Sequence, residues 1–284
     1  MTSRLVLYRC RVCTIGFAVL VFGALSAQAA IVLDPATFNQ LVSVGGNSTV
    51  QTAPGTILVN EFPGYPRGTG TATSTATDVV PLLTEARVAL LGADSPAAYG
   101  GTASARINFE FALQAGGGGT PGSLVPVNIT TAGLVGLDIT AGAAGSASGT
   151  ASAILQIPGV ITLRADRSCS GGFGLVMNCS SNDGESFGGT FAAMLQEGRT
   201  YTAELNVSVH GQGGGLGFLT VAHAMVDPTI TVVAPFAGDY QVVFSPGISL
   251  VPVPAALPLL VGGLVVLRRR LTAPAHGQGA RPRD

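Results

Sequence analysis

Ala103-Ser-Ala-Arg-Ile-Asn-Phe-Glu-Phe-Ala-Leu113 places Ala105, Ile107, Phe109 and Phe111 two residues apart. Side chains two apart share one face of a β-strand, so this stretch predicts a strand with one face turned to a core. Outward from it in both directions the same signature repeats as short, β-branched runs between turn signals. They cover residues 56–62, 69–80 and 85–91 before it, and 125–141, 146–157, 160–165, 187–195, 200–210, 218–226, 229–233 and 240–244 after it. Residues 85–91 also hold good helix formers (Glu85, Ala86, Arg87) and read as a strand with a helical turn as the alternative. Pro158-Gly159 and Glu197-Gly198 are turn dipeptides, and the glycine runs at 116–119 and 213–215 read as flexible hairpin or sandwich-edge connections. Roughly a dozen strands with no long helical pattern predict an all-β fold, an antiparallel two-sheet sandwich of jelly-roll type.

The composition agrees with export. The chain is 47% apolar and 10% charged, with 40 Gly and no Trp, a balance typical of secreted β proteins rather than of cytoplasmic enzymes. All 14 positive residues are Arg. Residues 30–248 carry six of them against fourteen acids, a formal charge of −8 for the body. Such a body repels phosphates and has no electrostatic footprint for nucleic acid.

The two ends differ from the body. Residues 1–29 read as a signal peptide: Arg4, Arg9 and Arg11 precede an apolar core at 12–25, and Ala27-Gln-Ala29 is a small-x-small cleavage site. An uncleaved anchor is the alternative. Cys10 and Cys13 would leave with that segment, so Cys169 and Cys179 are the cysteines of the mature chain. Ten apart in an oxidising compartment, they favour a disulfide worth about 2 to 3 kcal/mol, with free thiols as the alternative.

Near the other end, Val251-Pro-Val-Pro-Ala255 leads into a run without charge to Leu267, and Arg268-Arg-Arg270 follows. As a helix, that 17-residue run would span about 25 Å, close to a hydrocarbon core of roughly 30 Å. Clustered arginines resist translocation, which puts them in the cytoplasm and the body outside. Pro252, Pro254 and Pro258 suit an extended segment or a helix's first turn rather than its interior. Residues 249–270 thus form a unit of extended motif, membrane helix and basic stop, and 271–284 a disordered cytoplasmic tail.

The order of Val251, Pro252, Val253, Pro254 and Ala255, the Gly262-Gly263 apolar stretch and Arg268, Arg269 and Arg270 resembles the PEP-CTERM sorting tags, in their VPLPA-type variant. The strand-like segments Asp227-Pro-Thr-Ile-Thr231 and 240–248 are similar to the closing strands of proteins that carry such tags. The resemblance implies an exosortase as partner, a membrane-embedded cysteine transpeptidase-like enzyme that cuts near the motif. It further implies the inner membrane of a Gram-negative bacterium as a temporary anchor, and the cell surface or an exopolysaccharide-rich matrix as destination. It implies no enzymatic activity and no cofactor in the cargo.

Local signatures of chemistry point the same way. There is no G-x-S-x-G elbow, and a Ser-Lys pair is excluded because the chain has no Lys. His210 and His223 are the only histidines of the body and lack metal spacing; the glycine runs lack the Lys and Ser/Thr of a phosphate loop. Asn178, Asn182, Asp183 and Glu185 offer oxygen ligands for calcium, with a solvated polar loop as the plainer reading. Sugar stacking would have to use Tyr65, Tyr99, Tyr201 or Tyr240, which read equally as core or turn residues. The preferred expectation is a non-enzymatic, exported surface or matrix protein. The alternatives are a polysaccharide-active or glycan-binding sandwich, with His210 or His223 beside Glu110 or Asp227 in a cleft, and a permanent single-pass membrane protein.

Overall fold

The computed structural model describes residues 31–61, 67–75, 82–92, 98–172 and 178–248. The leader, the sorting segment 249–270 and the tail 271–284 lie outside the described residues, and with them Ala27, Ala29, Val251 to Ala255 and Arg268 to Arg270. No helix among the described residues is long and apolar enough to cross a membrane.

Among the described residues twelve strands follow one another: β1 (Thr37–Val44), β2 (Asn47–Gln51), β3 (Gly55–Glu61), β4 (Arg67–Thr75), β5 (Leu83–Gly92), β6 (Tyr99–Ala115), β7 (Leu124–Ile157), β8 (Ile161–Gly172), β9 (Asn178–Ser180), β10 (Ser186–Gln196), β11 (Thr200–Val232) and β12 (Tyr240–Phe244). All their ladders are antiparallel. Residues 85–91 are strand, inside β5. The helix formers there are overridden by packing, because Ala86, Val88 and Leu90 fall on one buried face at period two.

The two sheets share their central strands. β11 pairs β6 over its first half, from Thr200 to Gly213, and β5 over its second, from Phe218 to Val226. Its other edge follows β7 from Glu204 to Val232. One sheet is therefore β2-β1-β6-β11-β7-β8-β9, with β12 beside β1 on β6, and the other is β3-β4-β5-β11-β7-β10. The pieces expected separately at 125–141 and 146–157 are one 34-residue strand, and those expected between 200 and 233 are one 33-residue strand.

The fold-over has a local cause. The β11–β7 register slips between Leu216 and Phe218, where Gly215 and Gly217 take φ of +78° and +74°. Upstream of the slip the buried residues of β11 are odd-numbered (Ala203, Leu205, Val207, Val209); downstream they are even-numbered (Phe218, Ala222, Ala224, Val226). Across the slip β7 advances three residues, from Ala144 to Ala141, against two in β11, as at a β-bulge, and there β11 turns its inward face over and passes from one layer to the other. The run at 213–215, read from sequence as a connection, is an in-strand hinge.

Close approach of the layers is set by small residues. A Cβ on Gly70 would lie 2.4 Å from Val42 Cγ1, and one on Gly68 would lie 2.4 Å from Val44 Cγ1. The β1 valines thus pack directly on the β4 backbone. Gln40, fully buried, bridges the layers: its Nε2 donates to the carbonyls of Ala53 and Gly55 and to Ser74 Oγ.

Candidate functional site

The described chain begins and ends at one corner of the first sheet. Ala36 N donates to the Pro246 carbonyl at 3.0 Å, and Asp34 N donates to Glu110 Oε2 at 2.9 Å. Ser245 closes the corner from the other side. Its N donates to the Glu110 carbonyl at 2.8 Å, and its Oγ accepts from Glu110 N at 2.7 Å. Beneath lies an aromatic seat in which Phe111 stacks on Tyr201 at 5.6 Å between ring centres, and Phe244 stands 6.2 Å from both Phe109 and Phe111. Buried ring contacts of this kind hold β6, β11 and β12 together.

At the far end of β6 from this corner is a trough. It holds about 520 Å³ and is lined by Ser146, Ser148, Ser170, Gln212 and the glycines at 171, 172, 213 and 214. The lining is uncharged and offers hydroxyl, amide and backbone groups without an aromatic platform. From Glu110 to Tyr99 the strand rises roughly 35 Å, so trough and exit corner are well separated.

Beside the trough, Cys169 of β8 and Cys179 of β9 stand opposite each other in the ladder. A disulfide joins them, with their Cα atoms 4.1 Å apart. Asp166, which no sequence pattern marked out, organises the loop that follows: its carboxylate accepts from Asp183 N at 2.8 Å and from Asn182 N at 3.2 Å. Asp183 pairs with Arg164 at 3.2 Å and Glu185 with Arg167 at 3.0 Å. The oxygens considered for calcium are thus spread over a capped turn and two ion pairs. No group of three or more His, Cys, Asp or Glu residues among those described is placed to hold a metal.

The histidines are placed apart. His210 sits on β11 in register with Thr102 and Thr150, eight residues along β6 from Glu110, or roughly 27 Å. His223 lies on the other sheet, half-buried, with Nε2 3.3 Å from Glu85 Oε1. Asp227 is four residues along the same strand, about 13 Å away. Burial raises its carboxyl above the ordinary 3.8. Neither histidine shares a cleft with Glu110 or Asp227.

Tyr201 and Tyr240 are buried, and their hydroxyls serve the backbone. Tyr201 Oη accepts from Gln196 N at 2.7 Å, five residues upstream in the manner of a tyrosine corner, and Tyr240 Oη accepts from Thr120 N at 2.8 Å. Neither ring is offered to a sugar.

Glu197, buried to 8% exposure, is the hub of that end. Its Oε1 accepts from Ala115 N at 3.2 Å and its Oε2 from Gly122 N at 2.7 Å, pinning both feet of the glycine loop between β6 and β7. From the sequence, Glu197 was only half of a turn dipeptide. A lone acid beside a β-turn carries no signal that its carboxylate folds back into the protein.

No protein-family model matches the chain, and no curated protein matches it.

Proposed function

We propose that this chain is a non-enzymatic, exported β-sandwich protein of the cell surface or extracellular matrix. In this reading residues 249–270 hold it in the inner membrane until an exosortase-type enzyme releases it at Val251–Ala255. Residues 259–267 are the temporary membrane helix, and Arg268, Arg269 and Arg270 are its cytoplasmic stop.

The observation that supports this reading most is the shared exit corner. A body tethered to one membrane by a leader at its start and a tag at its end needs both ends on the same side, and residues 34–36 and 245–248 are hydrogen-bonded neighbours. Two residues separate Ile248 from Val251, a reach of at most about 10 Å, which supports a cleavage segment presented close to this corner. The Ser245 and Glu110 hydrogen bonds anchor the last described residues to β6.

Intact-mass measurement on protein from membranes and from culture medium tests the proposal. The expected result is a membrane form ending at Asp284 and a released form ending near residue 255. A chain ending at Asp284 in both fractions would overturn release and leave the permanent single-pass protein. Arg268, Arg269 and Arg270 changed together to Gln are expected to abolish stable anchoring, read as loss of the membrane form.

A further inference from the structure

Among the described residues the sheets end on five edge strands, β2, β3, β9, β10 and β12, and four of these edges carry a device against pairing with another chain; β12 is five residues long and runs into Pro246. β2 is five residues long and runs into Pro54. β3 is seven residues long and ends on Glu61. The β8 edge is capped by the three residues of β9, and its remainder carries Arg164, Asp166 and Arg167. Short length, proline and charge are the usual means by which a sheet edge is kept from acting as a template.

The remaining edge, β10, has none of them. Ser186-Phe-Gly-Gly-Thr-Phe-Ala-Ala-Met-Leu-Gln196 is eleven residues without charge or proline, and one side of it pairs β7 without a slip in register.

Neighbouring hydrogen bonds reveal which backbone groups face outward. Val135 N donates to the Glu185 carbonyl, in line with the β10–β7 ladder, so odd-numbered residues of β10 spend their groups on β7. Even-numbered groups point away: the Gly184 carbonyl accepts from Asp166 N, and Gln196 N reaches the Tyr201 hydroxyl. Between them, Ser186, Gly188, Thr190, Ala192 and Met194 present N–H and C=O to the outside, with no partner among the described residues.

That outward set is its own complement. Turned about a two-fold axis at Thr190, Ser186 faces Met194 of a second copy, Gly188 faces Ala192, and Thr190 faces Thr190. Every outward group then meets an outward group, which is the condition for an antiparallel hydrogen-bonded ladder. The side chains agree with this register. It sets Phe191 of one copy opposite Gly189 of the other, repeating a contact already inside the chain, where Phe187 lies over its ladder partner Gly133. The half-buried Phe187 and Phe191 gain cover, and between residues 186 and 194 no like charges meet, although the body as a whole is acidic.

We infer that β10 is a self-association edge at which two copies of this chain join antiparallel about Thr190, continuing one sheet through both. The contact is isologous and closes as a dimer. One strand pair is smaller than a standard interface, so its dissociation constant is expected at about 10 to 100 µM, suited to chains concentrated on a surface. The inference does not depend on how residues 249–284 are processed.

Sedimentation equilibrium of the full chain in density-matched mild detergent, with three samples, tests it. The wild type is expected to reach twice the chain mass as concentration rises through that range. Thr190→Lys alone, which sets two ammonium groups face to face, is expected to weaken association about tenfold or more, as is Thr190→Glu alone. An equimolar mixture of the two is expected to recover the dimer, which loss of folding in either variant would prevent. A wild type that stays monomeric, or a Thr190→Lys chain that associates as the wild type does, would overturn the assignment.

Discussion

Two glycine runs look alike in the sequence, 116–119 and 213–215, and the molecule uses them in opposite ways. The first is a true connection, between β6 and β7, held from outside: Glu197 takes the N–H groups at both its feet, Tyr240 takes Thr120 N, and Gly116 N donates to the Asp239 carbonyl. The second lies within a strand and is defined by what fills it. A Cβ on Gly213 would fall 2.1 Å from Phe218 Cδ2, and one on Gly92 would fall 2.0 Å from Phe218 Cε1, so the ring occupies the space of two missing side chains. One run is ordered by hydrogen bonds and the other by shape. Glycine content alone does not tell a loop from a hinge; the residue that answers the glycines does.

The hinge should be the more costly place to disturb. Phe218→Ala is expected to lose about 4 kcal/mol in chemical denaturation, because a fully buried ring leaves a cavity between backbones that cannot close on it. Gly213→Ala should cost about 3 kcal/mol by overpacking the same ring, and the double variant should cost clearly less than the sum. Additive losses would mean that ring and glycine do not answer each other, and the contrast between the two runs would fail.

At the loop, Glu197→Ala is expected to cost about 3 kcal/mol, since two backbone donors lose a buried charged acceptor. A loss below about 1 kcal/mol would mean that water takes its place as readily as at an exposed turn.

The smallest effect lies away from both runs and depends on pH. Burial raises the Asp227 carboxyl in the folded chain, so the folded state holds its proton more tightly than the unfolded state. Wild-type stability should therefore fall, relative to Asp227→Asn, as pH rises from about 3.8 through the raised value, with the variant the more stable above it. Matched denaturation curves from pH 3 to 8 check the sign; a wild type that gains on the variant with rising pH would contradict it.

The strands of the sandwich were legible wherever one face is buried and the other wet. The 103–113 alternation became the buried face of β6, with Ala105, Ile107, Phe109 and Phe111 all turned inward. What was hidden was continuity. A register slip that carries β11 from one layer to the other leaves a glycine-rich gap in the pattern, and a gap reads as a loop. Residues 85–91 were ambiguous because Glu, Ala and Arg favour helices; only the neighbouring β4 and β11 decide the matter. Around the cysteine loop the polar residues were visible but not their partners, since Asp166 acts on Asn182 and Asp183 from the other side of a long loop. The shared exit corner left no mark at all, because its closing bond, from Ala36 N to the Pro246 carbonyl, joins residues more than two hundred positions apart through backbone atoms.

The central place of β11 has a consequence for the order of assembly. Both sheets have it in their middle, and its partners lie as far back as β5, so neither layer can close until residue 232 is available. Long-range pairing of this kind is slow. Local hairpins such as β1–β2 and β7–β8 can form early, yet they wait as separate pieces for one late strand to gather them. A chain that matures in this way stays an open ribbon for most of its synthesis, and the brief hold at the membrane proposed above would give it time to become a solid.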